Sequence, residues 1–426
     1  MAASAIGNAT EWFDYGVYAY VATEIGQAFF PGEYATLAAL LVFAVSFILR
    51  PLGGLVWGPL GDRIGRTRVL ATTIILMCSA TFLVGVLPGY ATLGIWAPIL
   101  LILLRVIQGF STGGEYGGAA TFMAEYSPDR KRGFWGSFLE FGTLAGFTFA
   151  VVIVYVLNTT MGEAAFTEYG WRIPFLISLP LGAIGLYLRL RMEETPVFRD
   201  LEKAGSTESS ATVALKRLLV DYWRPILALF GLVIALNVVN YTLLTYMPTY
   251  LQETIGLTSG NTDLLLVIGQ LLMMVAIPFA GALSDRIGRK PCWWISLVGL
   301  FVLAVPMFLL MAQGLAAAIV GFAVLGLVYV LQLGTISATF PAMFPTHVRY
   351  AGMAISYNVA TAVFGGTAPP INEALISATG SNLIPAYYMM LASVIGMIAL
   401  YFVIETKGSS LKGREIPRAP LAATGR

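Results

Sequence analysis

Apolar residues along this chain gather into about twelve runs of membrane-crossing length, separated by short clusters of polar and charged residues. A hydrocarbon core about 30 Å thick takes about 20 apolar residues per helical crossing, so each run predicts one transmembrane helix. The runs are Ala5–Phe29, Tyr34–Trp57, Val69–Leu87, Ile95–Met123, Phe134–Leu157, Trp171–Leu190, Pro225–Tyr250, Leu264–Leu283, Cys292–Met311, Ala316–Phe340, Met353–Ile376 and Ala386–Ile404.

Composition agrees: 58% of the 426 residues are hydrophobic and 11% charged, against roughly 25% charged in soluble domains. The net charge of +2 is unevenly spread. Arg63, Arg66 and Arg68, Arg130 to Arg132, Arg189 to Arg224, Arg286 to Lys290, Arg349 and the end from Lys407 fall between alternate pairs of runs, whereas the opposite loops carry Glu33, Glu163, Glu168, Glu253 and Asp263. The positive-inside rule then places both termini in the cytoplasm of a multi-pass inner-membrane protein. The basic balance follows from topology, so no nucleic-acid partner is expected; the bilayer is. Met1 runs almost directly into the first apolar run, which is long enough to span and is expected to be retained. Cys78 and Cys292 read as buried free thiols, and with His347 the sole histidine, no metal or other cofactor is expected.

The polar stretch Arg191–Arg224 divides six runs from six, which predicts bundles at 1–191 and 225–405, a cytoplasmic linker at 192–224 and a cytoplasmic tail at 406–426. The halves echo one another. Gly58-Pro-Leu-Gly-Asp62-Arg63-Ile-Gly65-Arg66 after the second run returns as Gly281-Ala-Leu-Ser-Asp285-Arg286-Ile-Gly288-Arg289 after the eighth. Pro128 to Arg132 returns as Pro345 to Arg349, and Glu194-Thr195 as Glu405-Thr406. Three echoes in register indicate a duplicated six-helix unit. In a tight loop, glycine permits the turn while Asp receives bonds from arginines or a helix N-terminus. Asp62, Arg63, Arg66, Asp285, Arg286 and Arg289 are therefore candidates for a cytoplasmic gate, with simple anchoring charges as the alternative. Glu125 with Arg132 predicts a further charge link there. The repeat counterpart of Glu125 is Ala342, so that link is not duplicated.

The paired G-x-L-x-D-R-x-G-R loops, the 6+6 layout and the central linker resemble the major facilitator superfamily across essentially the whole chain. Gly7 to Asp14, Arg105 to Glu115, Ala124 to Pro128 and Trp171 to Phe175 resemble its metabolite:proton symporters. Thr245 to Leu251 and Pro341 to Tyr350 are most similar to the ProP-type proline/betaine transporters. The resemblance implies an all-α membrane protein of 12 helices in two pseudo-symmetric six-helix bundles, working by alternating access. It implies proton-driven symport of a small zwitterion such as proline, glycine betaine or ectoine. A carboxylate symporter (2-oxoglutarate, citrate, shikimate) and a proton-driven exporter are the alternatives. An enzyme is not expected, since no nucleophile triad, metal-ligand set or phosphate-cradling loop is apparent. Function as a monomer is expected. The osmosensing form of that family carries a C-terminal coiled coil, and the tail here has no heptads, so activation through such a coil is not expected.

A charge near the middle of a membrane helix costs at least roughly 2.5–3.5 kcal/mol, so the few present need a partner or a task. Glu11 and Asp14 lie three apart on one helix face with Tyr15 and Tyr18. Two carboxylates in a low-dielectric cavity favour holding a proton between them. Asp14, then Glu11, are the leading proton-coupling candidates, with Glu115 and Glu140 beside them; the alternative is that one acid only neutralises Arg50 or Arg105. Arg105, with Gln108, suits a substrate carboxylate, or an internal ion pair with Glu140 or Asp14. Asn237 and Tyr241 share a face of the seventh run. Trp12, Tyr15, Trp135, Phe138, Tyr241, Tyr329 and Tyr357 are candidates to hold an ammonium over aromatic faces, though any one of them can equally be packing.

Overall fold

A backbone surrounded by hydrocarbon must satisfy its own N–H and C=O groups, which helices do within one segment. The computed structural model describes residues 2–64, 66–113, 115–190, 220–345 and 348–411, and these form twelve helical rods. In the first half α1 is Ala2–Tyr20 continued by Ala22–Phe29, α2 is Ala35–Ile48 continued by Arg50–Ile64, and α3 is Arg66–Val86. Next, α4 is Trp96–Ser111 with Glu115–Tyr126, α5 is Phe138–Met161 led in by Arg132–Gly136, and α6 is Ile173–Leu190. In the second half α7 is Trp223–Asn240, extended by wider turns through Tyr250–Thr254, and α8 is Ser259–Ile287. Then follow α9 at Arg289–Met311, α10 at Leu315–Leu333 with Ile336–Thr339, α11 from Arg349–Ala360 to Ala368–Thr379, and α12 at Ile384–Tyr401. Most of the expected linker, the end of the tail and His347 lie outside the described residues.

Each expected run sits on one rod. Seven rods (α2, α5, α7, α8, α9, α10 and α12) carry a long, almost uncharged apolar stretch. α1 is instead interrupted at Val21 and buries Glu11, Asp14 and Glu24. Leu55, Phe279, Ile398 and Tyr401 are among the large apolar side chains on the outside, the perimeter that acyl chains cover. The chain is a multi-pass, all-α membrane protein.

Within the first half α1 packs on α5 and α6, and α3 on α4 and α6; within the second α7 packs on α11 and α12, and α9 on α10 and α12. The halves meet where α5 crosses α8, α2 and α4 cross α11, and α1 meets the wide turn of α7. Several contacts are close enough to require glycine, and two of them set the centre and the seam. A methyl at Gly109 or Gly113 of α4 would collide with the carbonyl of Ser46 or Arg50 on α2, and one at Gly133 or Gly281 would collide with the other's carbonyl oxygen where α5 meets α8.

Twelve rods running alternately up and down put Ala2 and Leu411, the outermost described residues, toward one end of the bundle. On that side the seam between halves is closed around Gly133 and Gly281. On the far side it is closed by side-chain bonds: Thr23 and Thr36 donate to Glu253 at 3.0 and 2.7 Å. Nearby, Asn158 donates to Ser259 at 2.6 Å, and Gln270 donates to the Tyr20 hydroxyl at 2.7 Å. The two halves are thus in direct contact at both ends of the seam. Cys78 and Cys292 are buried free thiols, as expected.

Gly281→Val forces the α5–α8 contact apart, at a cost of about 1–3 kcal/mol to this closed state. The expected outcome is faster labelling, by a membrane-impermeant thiol reagent applied from the chain-end side, of a cysteine placed at Gly136. Unchanged labelling would show that this crossing does not hold the seam.

Candidate functional site

Pro51 has no N–H to give to the carbonyl one turn back, and α2 breaks at Leu49, immediately before Arg50. Arg50 points into the protein and is buried. Its Nη2 donates to Glu11 of α1 at 2.7 Å, with both side chains almost wholly enclosed. Aromatic rings surround the guanidinium. Its carbon lies 4.7 Å from the Tyr15 centroid, 4.7 Å from Phe47 and 5.8 Å from Trp12. Tyr241, from the other half, closes the box at 5.1 Å from Phe47 and 6.3 Å from Trp12. α7 widens into a π-helical turn over Tyr241–Tyr246 at this point, a local adjustment often found at functional positions. The Trp12 ring is fixed by its Nε1 donating to Asn8 at 3.1 Å, and Asn8 in turn donates to Thr143 of α5 at 2.6 Å.

Asp14, one turn along α1, belongs to a different network. The Thr81 hydroxyl of α3 donates to its Oδ2 at 3.0 Å, Gln108 Nε2 donates to Thr81 at 3.1 Å, and Arg105 Nη1 donates to Gln108 Oε1. Every donation points from the guanidinium toward the carboxylate, so cation and anion are joined through two neutral groups. Asp14 Oδ1 and Arg105 Nε and Nη2 have no hydrogen-bond partner among the described residues. Arg105 rests 3.5 Å above the Tyr18 ring. The direct ion pair of Arg105 with Asp14 or Glu140, one sequence alternative, is absent among the described contacts, while the pairing of Glu11 with Arg50 is present.

The remaining candidates are dispersed. Glu140 is buried on α5, and the Glu115 side chain lies outside the described residues. Asn237 donates to Thr361 of α11 at 2.9 Å, inside the second half. Tyr357 is buried on α11 and lies within electrostatic reach of Tyr241. Tyr329 donates to Asn240 at 3.1 Å. Phe138 stacks with Phe134, Trp135 and Phe141 along α5, so its described ring partners are not those of the box. Thr81, Phe47 and Asn8 were not expected; a threonine or phenylalanine in an apolar run carries no signal of its own.

On the chain-end side, Asp285 accepts the N–H groups of Gly133 and Phe134, both at 2.9 Å, and lies 2.8 Å from Arg289. The acid thereby bonds the first half across the seam. Glu405 accepts the N–H groups of Arg289 and Lys290 at 3.0 and 2.9 Å, at the start of α9. Arg286 is exposed, and its carbonyl accepts from Lys407. In the first copy of the motif the side chains of Asp62, Arg63 and Arg66 lie outside the described residues. Glu125 corrects the expectation: it bonds Arg349 of the other half at 2.8 Å, whereas Arg132 bonds Asp129. The two arginines are repeat mates, each donating to the carbonyl eight residues back and to one in the terminal segment: Arg132 to Ala124 and Ser409, Arg349 to Pro341 and Leu411. Since Ala342 stands where a second glutamate would, Arg132 makes no counterpart of the bridge between Glu125 and Arg349 among the described residues and takes its neighbour Asp129.

The family model described as Major Facilitator Superfamily matches residues 5–369 and again 264–424. The chain is similar to the proline/betaine transporter of Escherichia coli K12, at 46% identity over 96% of this chain and 84% of that protein. It is similar to the glycine betaine/proline/ectoine/pipecolic acid transporter of Dickeya dadantii at 45% over the same shares, and to the ectoine/proline transporter of Corynebacterium glutamicum at 41%, again over 96% and 84%. Among solved structures, a D-xylose-proton symporter aligns with a TM-score of 0.73 at 20% identity, over 96% of this chain and 98% of that one, a likeness of fold.

Arg349→Ala removes three bonds that tie α11 to the carbonyl of Pro341, to Glu125 of α4 and to Leu411. Stability is expected to fall by about 2–3 kcal/mol, allowing about 1 for each bond, read as a lower thermal midpoint in detergent. An unchanged midpoint would mean that the bridge contributes nothing to the closed state.

Proposed function

The chain belongs to the Major Facilitator Superfamily, and from that premise we propose that it is a proton-coupled symporter of small zwitterions such as proline and glycine betaine. It sits in the inner membrane with both termini cytoplasmic, and the bundles at 1–191 and 225–405 rock about a central site joined by the 192–224 linker. The activities for which the similar transporters are named support the substrate class. The charge balance of the site supports it too. Arg50 is already neutralised by Glu11, leaving Arg105 as the central cation without a direct carboxylate partner among the described contacts. A dianionic substrate would need two such cations, which weighs against a citrate or 2-oxoglutarate carrier.

The observation that carries the coupling is the directed chain from Arg105 through Gln108 and Thr81 to Asp14. With Asp14 charged, the chain is polarised and holds the guanidinium toward the acid. A proton arriving on Asp14 removes the acceptor charge. Thr81 then keeps its other acceptor, the Met77 carbonyl at 3.0 Å, and Arg105 is released to receive a carboxylate. Substrate binding at Arg105 is thus favoured by the protonated acid. With both present Arg105 faces the substrate carboxylate in place of Asp14, and the loaded site carries the proton's one net positive charge as the seams exchange. Release on the opposite side reverses the order. The gate of Asp285, Glu125 and Arg349 holds the cytoplasmic seam shut until that exchange.

Labelled betaine and proline uptake into proteoliposomes under an imposed inward proton gradient tests this reading. Wild type accumulates both, and 2-oxoglutarate does not compete. Asp14→Asn is expected to lose gradient-driven accumulation while keeping betaine exchange, and Arg105→Ala to lose both. Unchanged gradient-driven accumulation in Asp14→Asn would remove that acid from coupling; transport of 2-oxoglutarate in place of betaine would overturn the substrate class. Thr81→Val cuts the chain without removing a charge, and gradient-driven accumulation is expected to fall about tenfold, the equivalent of 1.4 kcal/mol, with exchange retained. Full accumulation in that variant would show that proton and substrate communicate by another route.

A further inference from the structure

The aromatic box between the halves is not vacant: the protein's own cation fills it. Arg50 lies against Tyr15, Phe47 and Trp12, Tyr241 of the opposite half completes the wall, and Glu11 supplies the counter-charge at 2.7 Å. Those are the groups that hold an organic ammonium: electron-rich faces around it and one carboxylate beside it. A guanidinium and a trimethylammonium head are both compact, weakly hydrated cations.

We propose that Arg50 is the resident occupant of the substrate's ammonium subsite and that a zwitterion enters by exchange of ion pairs. The substrate carboxylate draws the guanidinium away from Glu11, and the substrate ammonium takes its place among Trp12, Tyr15, Phe47 and Tyr241, against Glu11. Two ion pairs replace one ion pair and one free zwitterion, so no net charge is added to a site where uncompensated charge is costly. Arg50 thereby becomes a specificity filter. A quaternary cation with no carboxylate has nothing to draw Arg50 out, and an anion with no ammonium leaves Glu11 unpaired. This inference rests on the zwitterion reading: one carboxylate oxygen faces Arg105 and the other draws on Arg50, the two guanidinium groups lying on the adjacent rings of Phe43 and Phe47, and the discrimination against choline falls to Arg50.

The test compares betaine with choline, which carries the same trimethylammonium head and lacks the carboxylate. Binding is read by Trp12-sensitive fluorescence and by thermal shift on purified protein. Wild type is expected to bind betaine and not choline. Arg50→Ala empties the box and leaves Glu11 to attract a cation, so choline affinity is expected to rise by at least about tenfold while betaine affinity falls. Adding Glu11→Gln to Arg50→Ala should abolish the gain. If Arg50→Ala is unstable alone, the same prediction is read as rescue: choline, and not acetate, restores its thermal transition. Choline binding to wild type within about tenfold of betaine overturns the exchange. So does a folded Arg50→Ala that gains no choline affinity, or an unstable one that choline does not rescue. If wild type binds no betaine at all, the zwitterion reading itself fails, which the same assay reports separately.

Discussion

The buried pair of Glu11 and Arg50 is the interaction around which the centre is arranged. A guanidinium in the middle of a bilayer-spanning protein is tolerable only with a counter-charge and polarizable surroundings, and α1 and α2 supply both. Meeting that need dictates local structure. Pro51 breaks α2 beside Arg50, glycines at 109 and 113 bring α4 against the same stretch of α2, and Asn8 fixes the Trp12 ring. A second cation, Arg105, is linked to Asp14 only through Gln108 and Thr81. One first-half pair is therefore closed and the other is held at a distance. In the proposed mechanism that difference divides the labour: the closed pair guards the organic head, and the open one responds to a proton.

Around this centre the two seams differ in chemistry. The far seam closes with neutral donors on Glu253 and with Tyr20 and Gln270, bonds that exchange readily with water. The chain-end seam is built of charge and close backbone contact. Asp285 caps the start of the α5 lead-in, Glu125 bridges to Arg349, and Gly133 meets Gly281. The terminal segment threads between the arginines of both halves through the carbonyls of Ser409 and Leu411. Opening that side breaks several charge-assisted bonds together, so it calls for compensation from the centre.

Much of this was legible in the sequence, for identifiable reasons. Twelve apolar runs are read directly because lipid imposes length and hydropathy on every crossing. The repeat pointed to the contact of Asp285 and Arg289 at the seam because those two recur in register with Asp62 and Arg66. Buried charges stood out because they are rare. Their partners did not. Whether Glu11 or Asp14 meets Arg50 depends on helix rotation and on a break at Leu49 that no composition reveals. Thr81 became important only through where α3 packs. The partner of Glu125 was misplaced because sequence proximity favoured Arg132, although the repeat itself held the answer: Arg349 is Arg132's mate, and the missing acid at Ala342 explains why this bridge has no repeat counterpart among the described residues. Phe138 belonged to an aromatic-rich stretch and packs along its own helix instead.

The central claim is that a proton moves with a net-neutral zwitterion. Its most direct test is electrical: proteoliposomes adsorbed on a capacitive support, with betaine added at equal pH on both sides and no imposed potential. The account predicts a transient current carrying positive charge in the direction of betaine movement, reversing when the betaine gradient is reversed. Betaine uptake without any such current would contradict it.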